Sequence, residues 1–231
     1  MTQQSINKKK KIYFYLLILL FLTTTFNFNI ISKFQDLILI SNINVLGLSK
    51  KEKRLLEKNL EIFINKNIFL ISKQEVDKII KEKNFLENYK VVKVFPSKLL
   101  VKVKKTEFVG KTIVNGEKFY IGKNGRLTNI FLVEKEYNLP QVFGNFPITE
   151  FLELQTKLTE NEIDLSKFKK YFYYKSKRWD IQKNDNTTLM LPSSDINKSL
   201  NNYKSLLKVK KLYPGQLIDL RIKNKIITRN E

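Results

Sequence analysis

Residues 12–32 carry no charged side chain, and these twenty-one positions follow directly on Lys8-Lys9-Lys10-Lys11. A run of roughly 20 apolar residues is what a helix needs to cross the hydrocarbon core of a bilayer. In that medium a helix satisfies all its own backbone hydrogen bonds. The centre of the run is Leu16, Leu17, Ile18, Leu19, Leu20, Phe21 and Leu22. Lysines just before a span hold the N-terminus in the cytoplasm, which sends everything from about Lys33 to the other side. A cleaved signal peptide has the same basic start but ends in small residues at a cleavage site. Here Thr23-Thr24-Thr25 leads into Phe26-Asn27-Phe28-Asn29, with no such site. The expected plan is a cytoplasmic tail at 1–11, a transmembrane helix at 12–32 and a globular part outside.

What the chain lacks restricts its chemistry. It contains no His and no Cys, which removes His-based general bases, Ser-His-Asp and Cys-His nucleophiles and nearly all zinc sites. Disulfides are excluded too, so the outer part must stand on its hydrophobic core. Most acids lie among lysines and read as solvated faces, so the expectation is a non-enzyme with no cofactor and no metal. The net charge of +21 raises the question of an anionic partner. The lysines are spread along the whole chain and read as biased composition. The membrane sidedness also places them away from nucleic acid.

From 36 to 105 the pattern reads strand, helix, helix, strand, strand. Residues Leu37 to Leu48 are rich in Ile, Val and Leu and meet a turn at Gly47. Ser49-Lys50-Lys51-Glu52 and Ser72-Lys73-Gln74-Glu75 are capping boxes, each opening a helix. The first helix carries Leu56, Leu60, Phe63 and Ile64 on one face, the second Val76, Ile79 and Ile80. Tyr89 to Phe95 and then Leu99, Val101 and Val103, alternating with Lys98, Lys102 and Lys104, predict a sheet with one wet side.

From 106 to 231 short strands and turns dominate. Phe108 to Gly110, Phe119 to Ile121, Tyr171 to Tyr174, Arg178 to Gln182, Thr187 to Leu191, Leu217 to Ile222 and Ile226 to Arg229 read as strands. The Asn124-Gly125 pair predicts a hairpin turn, and Leu139 to Gly144 reads as a loop. Thr149 is placed as the cap of a helix to about Leu158, and Ser193 or Ser194 as the cap of another bearing Ile196, Leu200, Tyr203 and Leu207. The fold class is therefore α+β: a transmembrane helix, a β-α-α-β-β unit, and a mainly antiparallel β domain with flanking helices.

The first unit resembles a POTRA domain, a docking module without catalytic residues. The resemblance lies in Val45-Leu46-Gly47 after the first strand, Asn67-Ile68-Phe69 between the helices and Val94-Phe95-Pro96-Ser97-Lys98-Leu99 at the last turn. Beyond it, Leu139-Pro140 with Gly144, Arg178-Trp179-Asp180, Leu191-Pro192 and Asp219-Leu220-Arg221 follow in an order similar to that of the FtsQ/DivIB family of bacterial cell-division proteins. With the basic anchor, that likeness covers nearly the whole chain. Gly122 departs from it, standing where a family member commonly shows Asp, and the cytoplasmic tail is very short.

The resemblance implies a divisome scaffold in the cytoplasmic (inner) membrane, at the division septum, with its C-terminal domain periplasmic or otherwise extracytoplasmic. It further implies that small bitopic partners of the FtsB/FtsL type dock on the last two strands, linking them and other divisome components to septal wall synthesis. The candidate contact residues are Asp219, Arg221, Ile222, Ile226, Ile227, Thr228 and Arg229. Alternation places Ile218, Leu220 and Ile222 on one face and Asp219 and Arg221 on the other. An apolar strand at a sheet edge offers backbone groups to an incoming strand, whereas the bland reading of Asp219 and Arg221 is an ordinary salt bridge. Trp179 and the aromatics of Lys169 to Lys175 read as core rather than as an interface or a nucleic-acid platform. Two rival functions are a tethered POTRA module for protein export or outer-membrane assembly and a wall-active enzyme. Neither further POTRA repeats nor the residues of a catalytic cleft are visible.

Overall fold

The computed structural model describes residues 3–24, 38–209 and 212–230. Helix α1 covers Gln3–Thr24. Its charge-free part, from Ile12, has thirteen residues, about 20 Å at the α-helical rise. A bilayer core is about 30 Å thick, so among the described residues no helix is long and apolar enough to cross a membrane. The predicted span of 12–32 is thus helical as far as Thr24, and 25–32 lie outside the described residues. Leu16, Leu17, Ile18, Leu19, Leu20, Phe21 and Leu22 are all solvent-exposed on α1.

The next elements are β1 (Asn42–Leu46), α2 (Lys50–Leu60), α3 (Lys73–Lys81), β2 (Leu86–Val94) and β3 (Lys98–Lys105). They form the expected β-α-α-β-β unit, with sheet order β1-β3-β2 and β1 parallel to β3. Leu56, Leu60, Phe63, Val76 and Ile80 are buried against the sheet, as the helical spacing required. The β3 alternation holds, with Leu99, Val101 and Val103 inward and Lys98, Lys102 and Lys104 outward. The Ser72 box is complete: the Glu75 amide donates to Ser72 Oγ at 3.2 Å and the Ser72 amide to Glu75 Oε2 at 2.9 Å. In the Ser49 box the carboxylate of Glu52 accepts from the Ser49 amide and hydroxyl. Glu52 is itself fully buried and ion-paired with Lys105.

The rest of the chain builds one nine-stranded sheet from β4 (Phe108–Val114), β5 (Glu117–Gly122), β6 (Leu127–Asn129), β7 (Gln141–Phe143), β8 (Phe168–Tyr173), β9 (Trp179–Lys183), β10 (Thr188–Met190), β11 (Gln216–Asp219) and β12 (Ile227–Asn230). The strand order is β12-β11-β10-β9-β8-β7-β4-β5-β6. Five pairings are antiparallel, and three are parallel: β4–β7, β7–β8 and β10–β11. Helices α4 (Ile148–Glu160) and α5 (Ile196–Val209) supply Phe151, Leu154, Leu158, Leu200 and Tyr203 to the core beneath the sheet. Packing is continuous across the junction at Lys105, since Phe108, Tyr120 and Val133 belong to the same buried cluster as the first unit.

Several local expectations need correction. Leu139 to Gly144 is no simple loop, because its centre is β7, in the middle of the sheet. The tight hairpin is at Asn115-Gly116, where both residues have the positive φ that a two-residue turn demands (50° and 82°). Asn124-Gly125 does turn a hairpin, between β5 and β6, but there only the glycine is left-handed, and its amide donates to Gly122 O at 3.0 Å. Helix α4 begins before Thr149, behind Pro147 and without a side-chain cap. Helix α5 begins at Ile196, beyond Ser193 and Ser194, and its inward face takes Leu206 where Leu207 was expected. A Cβ at Gly122 would displace the Asn124 side chain and the Thr106 methyl group, which pack against it.

Gly47, which closes β1, has φ +97°, and an added Cβ would run into the carbonyl oxygen of Val103. Gly47→Ala is therefore expected to cost roughly 2–4 kcal/mol, combining left-handed strain with a backbone clash. Gly116→Ala, at φ +82° with nothing within 4 Å, should cost only about 1 kcal/mol. Chemical denaturation of the full-length protein in detergent reads both, and equal losses would show that β1 and β3 give way at Gly47.

Candidate functional site

Among the described residues, strand β12 is one edge of the nine-stranded sheet and is paired with β11. Register decides what lies beside it. Asp180 on β9 faces Met190 on β10, Met190 faces Asp219 on β11, and Asp219 faces Ile227 on β12. Residues directly opposite one another share a sheet face, so these four form one row on the side away from the helices. The neighbouring row, Ile181–Leu189–Ile218–Thr228, turns toward the core, where the first three are fully buried.

Asp219 and Arg221 form a bidentate pair, with Nε donating to Oδ1 at 2.8 Å and the second guanidinium nitrogen to Oδ2 at 2.6 Å. The Arg221 amide donates to the same carboxylate at 3.0 Å. The guanidinium hydrogen bonds hold the Asp219 carboxyl below its ordinary range. Arg221 keeps 35% of its side chain exposed, against 12% for Asp219. Two residues along the row, Asp180 is raised by burial, an effect that the charge of Arg178 opposes. Arg178 Nε lies 3.8 Å from Asp180 Oδ1, and its guanidinium stacks 4.4 Å above the Tyr174 ring. Two arginines and two aspartates are thus gathered beside the edge, with no net charge among them.

The other predicted contacts are spread over the same corner. Strand β11 stops at Asp219, so Arg221 and Ile222 belong to the turn that follows, and Ile222 is exposed, where alternation had turned it inward with Ile218 and Leu220. Ile226 packs partly against the second core. Ile227 and Thr228 are half-buried on β12, and Arg229 is exposed. Trp179 is buried as expected, with the Phe146, Phe151 and Tyr173 rings within 4.8–5.9 Å. Sequence reasoning missed Arg178, Asp180 and Met190 as neighbours of Asp219. The only cue was that the Arg178-Trp179-Asp180 and Asp219-Leu220-Arg221 triplets both alternate charge with an apolar centre. Among the described residues, no group of three or more acids is placed to hold a metal ion.

No protein-family model matches the chain, and no curated protein does. Among solved structures it is similar to the major extracytoplasmic domain of the trans isomer of the bacterial cell division protein DivIB from Geobacillus stearothermophilus. The identity is 16% and the TM-score 0.32, over 47% of this chain and 99% of that one.

Proposed function

We propose that this protein is a non-enzymatic scaffold of bacterial cell division that docks a bitopic partner of the FtsB/FtsL type on β12. Its first unit is a POTRA-like spacer. The segment around α1 anchors it in the cytoplasmic membrane, with the sheet outside. The observation that carries this reading is the position of β12: a short strand, Ile227-Thr228-Arg229-Asn230, at the sheet edge among the described residues, flanked by the Asp219–Arg221 pair. An incoming strand would extend the ladder, and the partly exposed Arg221 with Ile222 would select its side chains. The ordered set of family-like motifs in the sequence supports the same reading.

Co-purification tests it. The full-length chain solubilised from membranes should retain FtsB- and FtsL-type proteins, and variants in β12 should lose them. Topology is the second test: a reporter active only outside the cytoplasm, fused after Glu231, should be active. A silent reporter with an intact fusion would overturn the sidedness and the division role together.

A further inference from the structure

The chain enters the first unit along a seam. Ile38 O accepts from the Ile68 amide at 2.9 Å, the Ile40 amide donates to Lys66 O at 2.9 Å, and the Ser41 amide donates to Ser97 O at 2.9 Å. The segment arriving from the direction of α1 thus lies between residues 65–70 and the β2–β3 turn. At that seam four large apolar side chains face solvent: Phe69 at 60%, Leu70 at 80%, Val94 at 39% and Phe95 at 55%. The Phe69 and Phe95 rings are stacked at 4.9 Å, which makes one ridge from two separate turns. Lys93 Nζ donates to Phe69 O at 3.3 Å, and Lys66 and Lys98 are exposed on the same segments. Glu75, close enough to Lys66 to feel its charge, has its carboxylate committed to capping α3.

Topology orients this ridge. β1 and β3 run parallel away from the seam, and their far ends lead into α2 and, through Lys105, into the nine-stranded sheet. The ridge is therefore at the end of the first unit next to the chain's N-terminal side. Thirteen residues, 25–37, separate α1 from Ile38, a reach of at most about 45 Å. A surface that holds α1 is therefore within reach of the seam. Clustered exposed aromatics and leucine mark an interaction surface, and a border of lysines suits anionic headgroups.

We propose that this ridge seats the first unit on the bilayer that holds α1. Phe69, Leu70 and Phe95 enter the headgroup–acyl boundary, while Lys66, Lys93 and Lys98 lie on anionic phospholipid heads. The proposal rests on α1 being a bilayer anchor. Tethering makes a weak surface affinity sufficient, because it holds the ridge at high effective concentration near the membrane. Its consequence is that the protein stands on the membrane in one orientation.

The absence of native cysteine makes a unique spin label possible. Full-length Leu70→Cys carrying a nitroxide is reconstituted into vesicles of phosphatidylcholine with one-third phosphatidylglycerol. Phe131→Cys is the reference, since Phe131 is exposed near the α2 end of the unit, where Glu134 binds the Lys51 amide. Flotation is read first, and protein that does not float removes the anchor and this proposal with it. In floated protein, the label at 70 should be relaxed several-fold more by oxygen than by a water-soluble nickel chelate, and the label at 131 the reverse. That contrast should fade in pure phosphatidylcholine and in a Lys66→Glu, Lys93→Glu background. Equal chelate access at 70 and 131 in floated protein would overturn the seat while leaving the anchor standing. Immobilisation at 70 that grows with protein concentration in detergent would instead assign the ridge to a second copy.

Discussion

Ile227→Pro and Thr228→Pro, made separately in the full-length chain, are expected to separate the structural role of β12 from its proposed docking role. Successive amides of an edge strand alternate, one toward its neighbour and one away. These residues oppose Asp219 and Ile218 on β11, so one proline removes a donor from the ladder with β11 and the other a donor on the side away from β11. The inward change should destabilise the sheet by about 1–3 kcal/mol. The outward change should leave the fold intact and weaken capture of the FtsB/FtsL-type partner by about ten- to a hundredfold, from a lost hydrogen bond and the ring's bulk. Hydrogen exchange on β11 amides tells the two apart. Deleting 226–231 is a blunter test, because it also strips Ile226 from the core and bares β11. Arg221→Glu adds a side-chain test: it replaces a bidentate cation with a charge that repels Asp219, and capture should fall without loss of the core. If both proline variants stay folded and bind as the parent does, β12 is not the docking site.

Lys105→Ala should be among the most damaging single changes away from that edge. Glu52 is fully buried, and its carboxylate is shared by Lys105, the Ser49 amide and the Ser49 hydroxyl. Lys105 Nζ also sits 5.2 Å and 5.4 Å from the centroids of Phe108 and Tyr137, rings that pack with Tyr120. The ion pair therefore lies where α2, the end of β3 and the start of the large sheet meet. Removing the cation leaves a buried carboxylate unpaired, a loss of about 3–5 kcal/mol. The double variant Glu52→Gln, Lys105→Met removes both charges and keeps the volume, so it should lose far less than Lys105→Ala alone. Urea denaturation of the three full-length proteins in detergent checks this. A double variant as unstable as the single one would mean that volume, and not charge, governs the junction.

Local chemistry was legible in the residues themselves. The box at Ser72 and Glu75, the wet and dry faces of β3, the inward faces of α2 and α3, and the strand character of Ile227 to Arg229 each depend on side chains within a turn or two of one another. The charge-free run behind Lys8 to Lys11 is equally a property of the sequence. What tertiary structure alone decided has another physical origin. β7 has three residues and parallel partners on both sides, so its stability comes from strands far along the chain and leaves no local pattern. Asn115-Gly116 and Asn124-Gly125 carry the same turn residues, and only the pairing of β4 with β5 gives the first the two-residue hairpin. Glu52 reads as a helix cap until β3 brings Lys105 against it and the fold closes over both. Asp180 and Asp219 become neighbours because β10 pairs antiparallel with β9 and parallel with β11, a register set by burying Ile181, Leu189 and Ile218 together. Phe69 and Phe95, in separate turns, form one exposed ridge only because the incoming chain draws both turns to the same seam.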